Sequence, residues 1–274
     1  MTTPTTKRWF ITGTSKGFGR IWAEAALERG DRVAATARDT STLDDLVAAY
    51  GDRVLPLALD VTDRAAAFAA VARAREHFGG LDVVVNNAGY GLFGTIEEVS
   101  ERQARKQIET NVFGALWVTQ AAIPFLRAQG SGHILQVSSI GGISAFPNLG
   151  LYNASKWALE GFSQALAAEL SPFGVAVTLI EPTAYGTDWA GPSAVHADPL
   201  PAYEPLREAR RARPMVSGDP QATVEAILAV VDSADPPLRL FLGKAPIHIA
   251  TADYERRLAE WAAWQEVSDR AQGD

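Results

Sequence analysis

RWFITGTSKGFG, residues 8–19, runs from a short apolar segment straight into a glycine-rich turn and on into a helical pattern. RWFIT (8–12) reads as a β-strand, and 17–29 reads as the helix that follows it. Glycines at such a junction let the backbone turn tightly and come close to a pyrophosphate. The helix start supplies free N–H groups and partial positive charge for the same anion. Gly13, Ser15, Lys16, Gly17, Phe18 and Gly19 are therefore candidate cofactor contacts. The spacing G-x-x-x-G-x-G differs from the common dinucleotide fingerprint G-x-G-x-x-G. The weight of the signal lies in its place between strand and helix.

Outward from that turn the rhythm repeats. Strand candidates are 8–12, 31–37, 53–59, 81–87, 133–138, 175–181 and 238–243, and several are apolar throughout, as expected of a sheet covered on both faces. Helical stretches fall at 17–29, 41–50, 63–78, 100–128, 152–171, 220–233 and 252–270. This alternation predicts parallel βαβ units in an α/β, doubly wound sheet of seven strands. No repeat or linker divides the chain, so residues 1–274 form one expected domain. Its cofactor half spans about 8–130 and its catalytic half about 131–250. The stretch 183–218 has no clean periodicity and is rich in proline. Lying after the sixth strand, it is expected to be a substrate-covering lid, with Tyr185, Trp189 and Met215 as apolar contacts.

Composition narrows the chemistry. The chain is 47% hydrophobic, enough for a full core, and carries a net charge of −7 with no basic arm, which argues against nucleic acid. There is no cysteine, so disulfides and thiolate catalysis are excluded. His77, His133, His196 and His248 form no short-spaced cluster, so no metal is expected. With no signal segment and no long apolar run, the expectation is a cytoplasmic protein without membrane partners.

The second strand ends at Arg38, where NAD sites usually carry an acidic residue. Arg38 and Lys16 suit a ribose 2′-phosphate, which a guanidinium grips with a fork of donors. NADP(H) is the expected cofactor, although Asp39 follows at once. Asp60 could accept from the adenine amino group with Val61 packing beside it, since Asp63 is better placed as a helix cap. Asn87, Ala88 and Gly89 are small enough to let the nicotinamide ribose come close.

Tyr152 and Lys156 stand four residues apart, one turn on one helix face, and Ser139 lies thirteen residues before the tyrosine. A tyrosine of pKa about 10 is a poor acid or base at neutral pH. An ammonium within roughly 4–6 Å lowers that by about 1–3 units, into the useful range. Ser139 could bond a substrate carbonyl or alcohol oxygen.

TGTSKGFG, LDVTD, NNAG, TNVFG, VSS, YNASK and EPTAYGTD occur here in the order and spacing of the short-chain dehydrogenase/reductases. The chain resembles that family, in its compact single-domain form, over roughly residues 8–245. The resemblance implies a Rossmann-type fold, a nicotinamide cofactor and hydride transfer between a carbonyl and an alcohol. It implies that Ser139 polarises the substrate oxygen, that Tyr152 trades the proton, and that Lys156 binds the nicotinamide ribose and lowers the tyrosine pKa. Asn111 resembles the asparagine that anchors a water chain to that lysine; an amide inside a helical run fits a kinked helix. Pro182 and Thr187 are carried over as cofactor contacts. Two positions depart from the family pattern. Glu181-Pro182-Thr183 stands where Asn-Pro-Gly is usual, and Phe18 replaces a smaller aliphatic residue.

The expected reaction is NADPH-dependent reduction of a hydrophobic ketone or aldehyde, or its reverse. Tyr90, Phe93, Ile143, Phe146, Leu149, Tyr185 and Trp189 suggest a roomy apolar pocket, with Phe93, Phe146, Leu149, Tyr185 and Trp189 as the substrate candidates. An NADPH-binding regulator without turnover, and an epimerase or isomerase using transient oxidation, remain alternatives. A homo-oligomer, dimer or tetramer, is also expected from the resemblance.

Overall fold

The computed structural model describes residues 6–212 and 216–273. Chain order runs β1 Arg8–Ile11, α1 Gly17–Glu28, β2 Arg32–Ala37, α2 Asp44–Tyr50, β3 Val54–Ala58, α3 Arg64–Phe78, β4 Val83–Asn86 and β5 Leu92–Phe93. It continues through α4 Glu101–Ile108, α5 Ala115–Gln129, β6 Gly132–Val137, α6 Gly150–Leu170, β7 Val175–Pro182 and β8 Val195–His196. α7 Glu204–Arg211, α8 Val224–Asp232, β9 Arg239–Leu242, α9 Pro246–Ala263 and α10 Gln265–Arg270 complete it.

All seven predicted strands join one parallel sheet, in the order β3-β2-β1-β4-β6-β7-β9. Successive side chains of a strand point to opposite faces, and here both faces are apolar. Trp9, Ile11, Val33, Ala35, Val83 and Val85 pack under Trp22 and Leu27 of α1 and Ile227 and Val231 of α8. Phe10, Ala34, Val84, Ile134 and Val177 face the other way, against Val71 of α3, Val118 and Leu126 of α5 and Leu166 of α6. Complete burial stabilises each aliphatic or Phe side chain by about 1.5–3 kcal/mol. The two buried indoles keep partners: Trp9 Nε1 donates to Asp31 Oδ2 and Trp22 Nε1 to Thr223 Oγ1, both at 2.8 Å.

From β1 the chain winds outward through β2 and β3, then returns to β4 and winds the other way. That reversal leaves a crevice outside the carboxyl ends of β1 and β4, where open α/β sheets hold ligands.

The structure corrects three expectations. The helical run 100–128 is two helices separated by a π-helical turn, Glu109–Gly114. The segment 183–218 is less irregular than its prolines suggest. It contains β8, which pairs in parallel with β5, and the charged helix α7. Arg207 of α7 donates to Glu98 Oε1 at 2.6 Å and to the Leu200 carbonyl at 2.6 Å, so remote ion pairing, not an apolar stripe, holds this helix. Met215 lies outside the described residues. The last helix begins at Pro246 rather than 252 and leaves Ile247, Tyr254, Leu258, Trp261, Trp264 and Val267 exposed across α9 and α10. Among the described residues no helix is long and apolar enough to cross a membrane.

Candidate active site

The turn after β1 is built for close approach. Gly13 and Gly17 hold φ of 70° and 62°, a region side-chain-bearing residues avoid. Lys16 precedes α1 in extended conformation with no side-chain cap, and the first turn has no acidic residue. The free N–H groups there carry the helix's partial positive charge into the crevice. These features fit a diphosphate.

The opposite wall comes from β4. Thr12 Oγ1 accepts the N–H groups of Asn87 and Ala88, each at 2.9 Å. Asn87 Nδ2 donates to the carbonyls of Thr12, at 2.8 Å, and Gly13, at 3.0 Å. Asn87 therefore braces the glycine turn from behind, while Ala88 and Gly89 line the cleft. A Cβ on Gly89 would stand 3.1 Å from Asn111 Oδ1 and 3.8 Å from Lys156 Nζ, so the backbone passes close over both. Phe18 stacks on Trp22 at 5.1 Å between ring centroids and meets Tyr185 edge-on at 5.3 Å. The larger residue is absorbed by aromatic packing under the turn.

Just beyond β2 Arg38 is exposed and lines the cleft. Asp39 turns away, accepting from Ser41 N at 3.0 Å and Ser41 Oγ at 2.8 Å as the cap of a 3₁₀ turn. Asp63 caps α3, accepting from Ala66 N at 2.9 Å. Asp60 Oδ1 accepts from Thr62 N and Oγ1 at 3.0 and 2.8 Å. Burial works to raise the Asp60 pKa, but Thr62 and the cations Arg38 and Lys106 hold it below the ordinary value. Val61 lines the cleft beside it. Lys16 Nζ is 2.7 Å from Asp188 Oδ2, a pair across the cleft mouth that the sequence did not reveal. Arg102, Arg105 and Lys106 of α4 also reach the rim and were missed, since nothing in their spacing marks them.

Ser139 leaves β6 in extended conformation, and its Oγ accepts from Gly141 N at 3.0 Å. Tyr152 and Lys156 enter from the inner face of α6, which also buries Ser155, Leu159 and Glu160. All three candidates line one cleft of about 1480 Å³, shared with the glycine turn. Lys156 Nζ donates to the Val137 carbonyl at 2.7 Å. The Asn111 amide sits within the π-helical turn, where such bulges often mark functional sites. Its Oδ1 accepts from Tyr90 N at 3.2 Å, and its Nδ2 donates to the Tyr90 carbonyl and Ser155 Oγ, each at 3.1 Å.

The expected acidification of Tyr152 is opposed by the burial of the pair. Burial pushes the Tyr152 phenol pKa up to about 12, opposed by a hydrogen bond with Ser139. Lys156 is itself pushed down to about 8 by burial, with Glu160 pulling it back up. Its ammonium lies 5.7 Å from the phenol ring centroid and spends a hydrogen bond on Val137. Desolvation penalises the charged form of each partner and is the largest influence on both.

Of the substrate candidates, Tyr185 and Trp189 line the cleft, as do Pro182 and Thr187 among the cofactor candidates. Phe93 and Leu149 instead form a buried cluster with Tyr152, against which Phe146 and Trp189 pack. The Trp189 ring stands 4.9 Å from Tyr152 and 5.2 Å from Phe93, centroid to centroid. Phe93, Phe146 and Leu149 thus form the wall behind the cleft lining.

Comparison with known proteins adds the lineage. The profile of the short chain dehydrogenase family matches residues 7–196. The chain is 41% identical over 272 residues to "Oxidoreductase BOA17" of Botryotinia fuckeliana, covering 96% of this chain and 98% of that one. A crystal structure of a short-chain dehydrogenase from Streptomyces avermitilis superposes with a TM-score of 0.90 at 40% identity, over 98% of this chain and 99% of that one. A short chain dehydrogenase from Burkholderia cenocepacia, crystallised in complex with NADP, superposes with a TM-score of 0.76 at 27% identity, over 96% and 98%. This chain is a member of the short-chain dehydrogenase/reductase family of oxidoreductases.

Proposed function

We propose that the protein is an NADP(H)-dependent carbonyl reductase or alcohol dehydrogenase for a hydrophobic ketone, aldehyde or secondary alcohol. The observation that carries this is the convergence of Ser139, Tyr152 and Lys156 on the cleft that also contains the uncapped start of α1. The α1 turn would hold the diphosphate, Arg38 and Lys16 the 2′-phosphate, and Asp60 and Val61 the adenine. Gly89, Lys156, Pro182 and Thr187 would bound the nicotinamide riboside. Bound there, the dinucleotide supplies the hydride donor or acceptor. Ser139 donates to the substrate oxygen, and Tyr152 delivers its proton as charge builds there. A phenol with a pKa near 12 is protonated at neutral pH, which suits the acid role in reduction. Asn111 holds the Tyr90 backbone and Ser155, so it braces the floor near Lys156. Tyr185, Trp189 and the wall behind them favour an apolar substrate.

The test is NADPH oxidation followed at 340 nm against a panel of aliphatic, aromatic and charged ketones. Turnover with apolar members supports the reading. Tight NADPH binding with no consumption and no product would point to a regulator, and product without net consumption to an epimerase.

The same reading takes the protein as a homo-oligomer. Its support is the exposed apolar series from Ile247 to Val267. Six half-exposed large side chains offer on the order of 600 Å², most of the roughly 800 Å² per partner of a standard interface. Light scattering showing only monomer would refute it.

A further inference from the structure

Behind the catalytic helix lies an ionic group that none of the steps above uses. Glu160 follows Lys156 by one turn of α6, and Glu181 lies near the carboxyl end of β7. They are 5% and 0% exposed. Arg239 of β9 touches both: its Nε is 3.0 Å from Glu160 Oε2 and 3.4 Å from Glu181 Oε1, and its Nη2 donates to Gln164 Oε1 at 2.9 Å. Gly142 closes over the group, since a Cβ there would meet Glu160 Cγ at 2.9 Å and Ser138 Oγ at 2.8 Å. Among the described residues Glu160 Oε1 and both Glu181 oxygens lack hydrogen-bond partners. The groups that face the pair are Gln164 from α6, Arg239 from β9 and the Ser138 hydroxyl beyond β6, and Lys156 stands one turn before Glu160, which opposes the burial that lowers the lysine pKa.

Two adjacent buried carboxylates bracketing one guanidinium cannot both ionise cheaply. A carboxylic acid hydrogen donated from one to the other would remove one charge and give an orphaned oxygen its partner. We propose that Glu160 and Glu181 share one proton, and that the single negative charge of the pair, fixed by Arg239, keeps Lys156 charged and in place. Both are positioning residues, and their role in turnover rests on the oxidoreductase reading above. Burial first, and Glu160 second, raise the Glu181 pKa, consistent with Glu181 holding the proton.

The free protein tests the shared proton without any cofactor. Glu181 keeps a proton in the folded state that the unfolded chain releases above its ordinary pKa of 4.5. Wild-type stability therefore falls as pH rises from about 5 toward the folded pKa, with the unfolding constant growing by up to about tenfold per pH unit from this group. In Glu181→Gln that component is expected to vanish. A pH dependence identical to wild type, measured by urea unfolding, would overturn the shared proton. The second arm follows NADPH binding by fluorescence, and kcat/KM, against pH. Glu181→Gln keeps the Glu160 charge and is expected to keep the alkaline limb. Glu160→Gln/Glu181→Gln removes that charge and is expected to move the limb down by about one pH unit, a tenfold loss of binding on the alkaline side. Loss of affinity at every pH with an unmoved limb would mean a merely structural role and overturn the proposal. Failure of wild type to bind NADPH would instead overturn the cofactor reading and leave the unfolding arm intact.

Discussion

Gly19→Ala tests whether the crevice is closed from behind as described. A Cβ at Gly19 would stand 2.5 Å from the Gly13 carbonyl oxygen and even nearer to Asn87 Nδ2. The Gly13 atom is backbone, so relief requires shifting the glycine turn. The Asn87 amide is tied at 2.8 and 3.0 Å to the Thr12 and Gly13 carbonyls, and moving it breaks both bonds. Overpacking costs about 1–3 kcal/mol. Two lost hydrogen bonds add about 1 kcal/mol each. Alanine's better helix propensity returns about 1 kcal/mol. The net expectation is a loss of roughly 2–4 kcal/mol, with NADPH affinity falling at least tenfold because the diphosphate turn is displaced. Gly161→Ala is the control, since Gly161 lies in α6 with no atom of the described residues within 4 Å of the new Cβ and should gain up to about 1 kcal/mol. Urea unfolding and fluorescence titration of both variants provide the readout. Gly19→Ala with wild-type stability and affinity would refute the bracing of the turn by Asn87.

Asp188→Asn should free Lys16, and since a half-exposed pair is worth at most about 1 kcal/mol, NADPH should bind up to about fivefold tighter with stability unchanged. Weaker binding in a titration would contradict a Lys16 site for the 2′-phosphate. Lys156 is charged below its pKa of about 8 and loses that charge as pH rises through it, so kcat/KM for reduction should decline above about pH 8. A flat profile to pH 10 would show that the ammonium is not needed. Asn111→Leu should remove the bonds to Tyr90 and Ser155 and cost about 2–4 kcal/mol of stability, together with activity. An active variant of wild-type stability would end the role given to that amide.

The sheet was legible because its strands are apolar on both faces, so Trp9, Phe10 and Ile11 mark β1 whichever way they point. The crevice was legible too, because Gly13, Asn87 and Ser139 all follow strands at their carboxyl ends. Asn111 hinted at the π-helical turn, for an amide is out of place in a regular helix. Helix α7 was not legible: EPLREARR has no apolar stripe, and its anchor Glu98 lies 109 residues before Arg207. The N–H of Thr95 first, then that of Leu200, and Arg207 hold the Glu98 carboxyl down to about 2. Spacing correctly suggested that Tyr152 and Lys156 share a face but could not show the burial that raises the phenol pKa, because desolvation depends on what the rest of the chain packs around it. Glu181 likewise read as a departure from a motif, and only the fold brings it to Glu160 and Arg239.

The most direct test of the account compares wild type with Tyr152→Phe, measuring NADPH binding by fluorescence and ketone-dependent NADPH oxidation at 340 nm in the same preparation. Bound cofactor with turnover reduced at least a thousandfold is the predicted result, about 4 kcal/mol of transition-state stabilisation. Turnover within tenfold of wild type in the phenylalanine variant would contradict the assignment of the proton to Tyr152.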